Sequence, residues 1–332
     1  MTGPYTRYLA AKRTVDDRAL NRSVLESFAS LLESASESEY QSTSEPKTEL
    51  EIVEVGAGIG TMIQRLLEWD VLPATATYTL VDIDEASIAA AGERLPAWAT
   101  ALGYAVDEGG GRGESESEGG GGDEESKNEW TLHREEETIT IRTVVEDAGR
   151  FLERTNPDVL IGSAFIDLFR PAEVAALLEE LPAGCHCWFP ITFDGGTIFQ
   201  PAAFPGFDEH VIDRYHEDMI RRATPGPGDP HAGRHLLSRA ATEYHLEAAG
   251  SSDWVVCPEN SQQAVDTTDS GAYPADEAAF LHHIITTIGT ALADDPAVDD
   301  DQLEAWLERR REQIETGELV YVAHQLDVLF RI

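Results

Sequence analysis

Basic residues are scarce in this sequence. Its 332 residues include 24 lysines and arginines against 62 acidic residues, and the lysines are Lys12, Lys47 and Lys127. The formal net charge is −38 at pH 7, while the apolar share of 42% is ordinary for a globular protein. The acids are therefore expected on the surface rather than in place of the core. The sequence contains no stripe of arginine and lysine with interleaved aromatic residues, which is the pattern typical of nucleic-acid binding.

So large a charge predicts that stability depends on salt. Molar salt shortens the Debye length to about 3 Å and screens the repulsion between like charges. The composition therefore favours the cytoplasm of a salt-accumulating halophile, and a surface that attracts a cationic partner is the alternative. We expect the melting temperature to fall as salt is lowered from molar to millimolar concentration. A melting temperature that stays constant over this range would contradict the halophile interpretation.

Cysteine is scarce as well, and long apolar runs are missing. Cys185, Cys187 and Cys257 cannot form a fully paired disulfide framework in a chain of this size, which favours a reducing compartment. Cys185 and Cys187 flank His186, but no second pair of ligands follows, so we interpret the segment as a buried strand and predict no metal. No run of 18 apolar residues and no apolar leader is present. The sequence thus predicts a soluble, cytoplasmic protein without a membrane span.

Strands alternate with helices in the first two thirds of the chain, which predicts a parallel sheet with crossover helices. The predicted strands are 50–55, 78–81, 138–145, 158–161 and 186–193, and the predicted helices are 11–33, 61–69, 84–95 and 171–181. Residues 34–48 are predicted to form a linker, and the Gly/Glu/Ser tract 109–129 a disordered insertion. The remainder is less regular: helices are predicted at 208–222, 236–249, 280–292 and 302–314, and strands at 254–257 and 319–330.

The most informative segment is EVGAGIGT at residues 54–61, between a predicted strand and a predicted helix. Glycine permits a sharp turn there and lets a ligand approach the backbone at the carboxyl ends of the strands. Dinucleotide-binding turns follow the pattern G-x-G-x-x-G/A, whereas here the third glycine, Gly60, comes one residue early. Glu54 would repel a pyrophosphate but suits the ammonium group of a methionine moiety.

A second acidic segment follows the next strand, about 20 residues further on. Its residues are Asp82, Ile83 and Asp84. A carboxylate at the tip of this strand can accept hydrogen bonds from both ribose hydroxyls, and Asp82 is the candidate. Asp84 is interpreted as the cap of the following helix.

These two segments resemble motifs one and two of the class I S-adenosylmethionine (SAM)-dependent methyltransferases. Residues 146–148 resemble the adenine-contacting segment of that family, and residues 158–163 its fourth-strand motif. The resemblance implies a Rossmann-like α/β fold: a mostly parallel seven-stranded sheet with helices on both faces, an antiparallel closing strand, an N-terminal helical cap and a helical C-terminal insertion. It implies SAM as the cofactor. The cofactor-binding residues it implies are Glu54, Gly56, Ala57, Gly58, Gly60, Asp82, Ile83, Asp147, Ala148 and Ser163.

The resemblance divides the chain into a cap and linker (1–48), a cofactor-binding core (49–200) and an acceptor-side elaboration with the closing strands (201–332). The Asn/Asp-Pro-Pro-aromatic motif of amino-methylating nucleic-acid enzymes is missing after the fourth strand, which favours a small-molecule or lipid-precursor acceptor. His216, in a polar group on the predicted helix 208–222, is the candidate proton acceptor, and Asp194 is the second candidate. Tyr5 and Tyr8, with Arg18 and Asn21, are expected in a helical lid.

Three alternatives remain open. An NAD-type oxidoreductase is disfavoured by the position of Gly60 and by Glu54. An aminopropyl transferase that uses decarboxylated SAM would need an amine site, for which the sequence gives no pattern. A non-catalytic SAM-binding regulator fits the same cofactor motifs, because methyl transfer requires no particular catalytic side chain.

Overall fold

A computed structural model describes residues 4–38, 49–109, 128–222, 226–259 and 272–332. These residues form one mixed sheet with helices packed on it. The strands are β1 (Leu50–Val55), β2 (Thr75–Asp82), β3 (Ala105–Glu108), β4 (Asn128–Arg134), β5 (Glu137–Val145), β6 (Val159–Ile161), β7 (His186–Gln200), β8 (His245–Ser251), β9 (Trp254–Val256) and β10 (Val320–Arg331). The helices are α1 (Pro4–Ala19), α2 (Arg22–Ser38), α3 (Thr61–Glu68), α4 (Glu85–Ala101), α5 (Ala148–Leu152), α6 (Pro171–Glu179), α7 (Phe207–Arg221), α8 (Ala232–Glu243), α9 (Glu277–Leu292) and α10 (Asp300–Glu315).

The centre of the sheet consists of five parallel strands in the order β5-β2-β1-β6-β7. From β1 the chain continues through β2 to β5 on one side of the sheet. From β6 it continues to β7 on the other side. Ligands of open α/β sheets bind beyond the carboxyl ends of the strands at such a switch point. Beyond β7, β10 runs antiparallel to both β7 and β8. The expected Rossmann-like fold, mostly parallel with an antiparallel closing strand, is confirmed.

Both faces of the central strands are covered. In β1, Ile52 packs into a cluster that contains apolar residues of α2, α3 and α4, whereas Val53 and Val55 pack into a second cluster with residues of α5, α6 and α8. A strand buried on both faces needs apolar residues at successive positions, as expected for a parallel sheet in an α/β protein. The helices therefore hold the carboxyl ends of β1, β2 and β6 at one rigid edge.

The N-terminal segment forms two helices rather than the single predicted helix 11–33. Asn21 separates them: its side chain accepts hydrogen bonds from the backbone of Ser23 and Val24, and its own N–H donates to the buried Asp327 at 2.8 Å. α1 packs against α4, α9 and β9, and α2 packs against β8 and β10. α2 continues to Ser38, so the start of the predicted linker is helical, and residues 39–48 lie outside the described residues.

The sheet is larger than the seven strands expected. β3 and β4 form an antiparallel pair that extends the sheet beyond β5, which brings the described part of the sheet to ten strands. The predicted insertion 109–129 includes Glu129 and the residue before it, but both belong to β4, and Gly109 N–H donates to the Glu129 carbonyl at 2.8 Å. Residues 110–127 lie outside the described residues.

Two further predictions were wrong in the second half. The predicted strand 186–193 does not end there: β7 continues to Gln200 and pairs with β10, where Gly196 lies opposite His324. The predicted helix 236–249 ends earlier, because α8 stops at Glu243 and the next residues form β8. In both cases the ladder with β10, which is distant in the sequence, overrides the local turn or helix signal.

Replacing residues 110–127 by a short Gly/Ser turn is expected to leave the melting temperature in molar salt unchanged within about 2 °C. The segment contains almost no apolar side chains, and loop length changes closure entropy only slowly. Because β3 and β4 stay paired on either side, the sheet register is kept. Differential scanning calorimetry in molar salt checks this, and loss of a cooperative transition would show that the segment carries structure.

Candidate active site

The glycine-rich turn is fixed to the end of β2 by two backbone donors. Ala57 N–H donates to the Val81 carbonyl at 3.1 Å, and Gly58 N–H donates to Asp82 Oδ2 at 2.8 Å. The glycines at 56, 58 and 60 all have left-handed backbone, with φ of 65°, 54° and 73°. This conformation favours glycine, which explains why glycine recurs at every second position of the turn. The ends of β1 and β2 are thus joined into one backbone platform.

Close side-chain contacts restrict two of these glycines further. A Cβ on Gly56 would lie 2.4 Å from Cδ2 of Phe165, a buried residue of the segment after β6. A Cβ on Gly58 would lie 3.2 Å from Leu9 in α1. The turn therefore lies between the segment after β6 and the N-terminal helix. The predicted cap covers the same edge of the sheet as the glycine motif.

Asp82 lies at the centre of the platform. Its Oδ2 accepts from Gly58 and its Oδ1 accepts from Asp84 N–H at 2.9 Å, and burial raises the pKa of its carboxyl. Each oxygen keeps a second lone pair for a ligand hydroxyl. The next residue, Ile83, is 74% exposed, an unusual position for a large apolar side chain beside a carboxylate. Asp84 caps α4 as predicted, accepting from Ser87 N–H at 3.1 Å.

Glu54 is the buried acid of the site. It is 2% exposed, and its Oε2 accepts a hydrogen bond of 2.8 Å from the Tyr78 hydroxyl. Burial raises the pKa of Glu54 to about 8, although the Tyr78 hydrogen bond and the nearby Arg65 oppose the shift. Arg65 pairs with the carboxylates of Asp16 and Asp17. In the described ranges Glu54 therefore has no ion pair, and a cation placed beside it would stabilise its charged form.

The third and fourth predicted segments reach the same edge. Glu146 N–H donates to the Asp82 carbonyl at 3.0 Å, which brings Asp147 and Ala148, the start of α5, beside β2. Asp147 caps α5 through the N–H of Arg150 at 3.1 Å and is exposed. Ser163 follows β6 and is half-buried. The structure thus places all the predicted cofactor residues on the carboxyl edge of β1, β2, β5 and β6.

Beside this platform is a cavity of about 170 Å³. It lies where the N-terminal helix, the segment after β6, the second half of the chain and the closing strands meet. Its lining consists of Tyr8, Ala164, Asp167, Ile191, Phe193, Thr197, Tyr215, Met219, Trp254, His283, Ile284, Thr287, Ile288, Tyr321 and Gln325. Ala164 and Ile191 adopt left-handed backbone, with φ of 48° and 57°. Such conformations are strained for side chains with a Cβ and cluster at functional sites. We refer to this space as the aromatic cavity.

Asp167 is the residue that sequence analysis missed. Its Oδ1 is buried and has no hydrogen-bond partner among the described residues. Burial raises the pKa of its carboxyl to about 6, while a hydrogen bond from its own backbone and the charges of Lys12 and Arg222 act in the opposite direction. Asp167 lies in a short 3₁₀ helix, Ile166–Leu168, that follows β6. The available signal was a single acid within the apolar run 164–169, directly after the strand at the switch point.

The two predicted catalytic candidates differ in their surroundings. His216 Nε2 lies 3.1 Å from the hydroxyl of Thr197, which lines the aromatic cavity, and burial lowers the pKa of the imidazole. A neutral imidazole can accept a proton, so His216 stays a candidate that acts through Thr197. Asp194 is buried and accepts both the backbone N–H and the guanidinium of Arg234 at 2.9 Å. This pairing favours a structural role for Asp194.

Other polar residues of the N-terminal helix and of α7 line the cavity or connect elements. Tyr8 lines the aromatic cavity, whereas Arg18 pairs with the buried Glu277 at 2.6 Å and His210 Nε2 lies 2.9 Å from the Ala297 carbonyl. Cys185 and Cys187 are buried, and in the described ranges no group of three or more His, Cys, Asp or Glu residues is placed to hold a metal ion. Among the helices of these ranges, none combines the length and the apolar character needed to cross a membrane.

Comparison with known proteins gives structural matches alone. No protein-family model matches the chain, and no curated protein matches it significantly. A SAM-dependent methyltransferase from Geobacter sulfurreducens, in complex with S-adenosyl-L-homocysteine (SAH), has a TM-score of 0.41 at 13% identity, covering 95% of this chain and 93% of its own. A putative methyltransferase from Bacillus halodurans has a TM-score of 0.41 at 10% identity, covering 91% and 97%.

A cyclopropane synthase from Mycobacterium tuberculosis has a TM-score of 0.37 at 10% identity, covering 86% of this chain and 78% of its own. Because these TM-scores are low, the fold is assigned from the order and direction of the strands in this chain. That order is β5-β2-β1-β6-β7, followed by the reversed β10 and then β8. The chain therefore has the Rossmann-like α/β fold that the resemblance to the class I SAM-dependent methyltransferases implies.

Proposed function

We propose that this chain is a SAM-dependent methyltransferase that acts on a small-molecule acceptor. The observation that carries the proposal is the junction of two sites at one sheet edge. The glycine turn is pinned to Asp82 beside the buried Glu54, and the aromatic cavity adjoins this platform through the segment after β6. A cofactor platform next to a cavity suits an enzyme that transfers a group between two bound molecules.

The residues at the platform fit SAM by their chemistry. Glu54 is an unpaired buried acid suited to the methionine ammonium, and Asp82 has lone pairs for the ribose hydroxyls. The exposed Ile83 together with Asp147 and Ala148 would contact the adenine, and Ser163 would complete the cofactor site after β6. When bound, SAM supplies a methyl group on a sulfonium centre that is already electrophilic.

The chain's own residues then have three tasks. The turn residues Gly56 and Gly58 let the backbone approach the ligand, and α1 covers the turn through Leu9. The cavity residues orient the acceptor and exclude water, since a held near-attack geometry supplies much of the rate enhancement in bimolecular transfers. His216 and Thr197 offer a route for a proton if the acceptor must lose one.

Asp82→Ala is expected to weaken SAH binding by about 1.5–3 kcal/mol, the scale of hydrogen bonds to a charged group. Isothermal titration calorimetry in molar salt measures this. Asp107→Ala is the control, because Asp107 is an exposed acid on β3 and its substitution removes the same charge. Equal affinities for the two variants would place the ribose contact elsewhere.

Transfer itself is tested with methyl-labelled SAM and a small-molecule extract of the host's cells in molar salt. We expect a labelled small-molecule product with the unaltered protein and much less product with Asp82→Ala. Tight SAH binding without any labelled product would favour the non-catalytic SAM-binding regulator. Tight NAD binding without a response to SAM or SAH would favour the oxidoreductase.

A further inference from the structure

The aromatic cavity is small and has an aromatic wall. A cavity of about 150 Å³ holds one benzene molecule, so about 170 Å³ admits a ligand of similar or slightly larger size. Five aromatic side chains from five different elements line it: Tyr8, Phe193, Tyr215, Trp254 and Tyr321. Aromatic faces carry partial negative charge and attract organic cations. The wall thus favours a compact apolar body, and it favours a positive charge over a negative one.

Two acceptor atoms in the wall lack a hydrogen-bond donor in the described structure. Within the part of the chain that the structure describes, two lining residues have a buried side-chain atom without a hydrogen-bond partner, and both atoms are acceptors: Asp167 Oδ1 and Gln325 Oε1. Gln325 is 1% exposed. A buried acceptor left without a donor costs about 1–3 kcal/mol. A ligand that brings N–H groups into the cavity would remove this cost at both positions.

The cations nearest to Asp167 are already engaged. Lys12 pairs with Asp16 at 3.1 Å, and the guanidinium of Arg222 donates to the Gly226 carbonyl at 3.1 Å. The other acid close to Asp167 is Asp229, which pairs with His235. Among the described residues Asp167 therefore has no ion pair, and a cation bound in the cavity would meet a carboxylate that none of them neutralises.

We propose that the aromatic cavity binds a small primary or secondary amine as its ammonium ion, with Asp167 as the carboxylate that receives it and takes its proton. This inference rests on the proposed function and names its acceptor class. The ammonium gives one proton to Asp167 and becomes a neutral amine. The nitrogen lone pair then forms the N–CH₃ bond while the S–CH₃ bond breaks, its electron pair staying on sulfur. The methylated product leaves as an ammonium ion, and the proton on Asp167 passes to solvent.

The test uses three probes of nearly equal size: benzylamine, benzyl alcohol and benzoate. Their binding is measured by calorimetry with the unaltered protein at pH 7.5 in molar salt, with and without saturating SAH. We expect benzylamine to bind at least tenfold more tightly than benzyl alcohol, and benzoate to bind most weakly. Equal binding of the amine and the alcohol, or tighter binding of benzoate, would overturn the proposal without any variant.

Asp167→Asn then tests the assigned residue. It keeps the shape of the side chain and removes its charge, and the preference for benzylamine over benzyl alcohol should fall at least tenfold. Asp213→Asn is the control, because Asp213 is an exposed acid on α7 and its loss should leave the preference unchanged. A preference retained in Asp167→Asn would overturn the assignment of Asp167.

The two proposals fail in different ways. If SAH binds and labelled methyl groups are transferred, but no preference for the amine is seen, the methyltransferase stands and the amine acceptor is overturned. If benzylamine binds with dependence on Asp167 but neither SAM nor SAH binds, the amine site stands and the methyltransferase falls. Label from SAM on the nitrogen of benzylamine, lost in Asp167→Asn, would support both.

Discussion

Glu54→Gln is expected to stabilise the cofactor-free protein at pH 9 by on the order of 3 kcal/mol and to weaken SAH binding. The pKa of Glu54 is raised to about 8 in the folded protein from 4.5, so folding opposes its ionisation. Stability contributed by the neutral carboxyl is fully present below about pH 4.5 and is lost as the pH rises through about 8. Glutamine stays neutral at every pH and still accepts from Tyr78, so it avoids this loss.

The same substitution separates the effect of Glu54 on stability from its effect on cofactor binding. Removing any negative charge from a chain of net charge −38 could raise stability, so Glu26→Gln on the exposed face of α2 is the matched control. Thermal unfolding at pH 5 and pH 9 in molar salt should show a gain for Glu54→Gln at pH 9 alone, relative to that control. SAH affinity should fall roughly 10- to 150-fold, the equivalent of about 1.5–3 kcal/mol. Identical behaviour of the two variants would contradict the role of Glu54.

Gly56→Ala is expected to lower the free energy of unfolding by about 2–5 kcal/mol. An alanine in left-handed backbone costs roughly 1–2 kcal/mol. Its Cβ would also lie 2.4 Å from the buried ring of Phe165, and relieving such overpacking costs typically about 1–3 kcal/mol more. Denaturant unfolding in molar salt measures the loss.

Gly103→Ala provides the control for this prediction. Gly103 has φ of 89°, and apart from its chain neighbours no heavy atom of the described residues lies within 4 Å of the position that its Cβ would take. It therefore carries the backbone cost without the overlap and should lose only about 1–2 kcal/mol. Equal losses in the two variants would mean that Phe165 moves aside freely. The turn would then be less tightly held than the structure indicates.

The cofactor half of the fold was readable from the sequence because its signals are local. β1 occupies 50–55 as predicted, and α3 begins at Thr61 as predicted, since an apolar run, three alternating glycines and an amphipathic helix follow one another directly. Asp84 as a helix cap needed only the strand before it and the helix after it. α4, in contrast, continues past Pro96 to Ala101, because the buried Leu95 and Ala99 extend its apolar face.

The acceptor half was less readable because its structure depends on distant pairing. β8 and the second half of β7 exist through their ladders with β10, more than 70 residues further along the chain. The residues that line the aromatic cavity come from seven separate parts of the sequence, so no local motif predicts it. Asp167 could have been suspected as a lone acid in an apolar run, but its unpartnered Oδ1 is visible only in three dimensions.

The most direct test of the central claim is the binding of SAH and NAD to the unaltered protein, measured by calorimetry in molar salt. A cofactor platform built from Glu54, the glycine turn and Asp82 predicts saturable binding of SAH with one site per chain. It predicts no measurable binding of NAD, because Gly60 comes one residue early for a dinucleotide-binding turn and a pyrophosphate would bring no cation to Glu54. Saturable binding of NAD together with no heat from SAH would contradict the account.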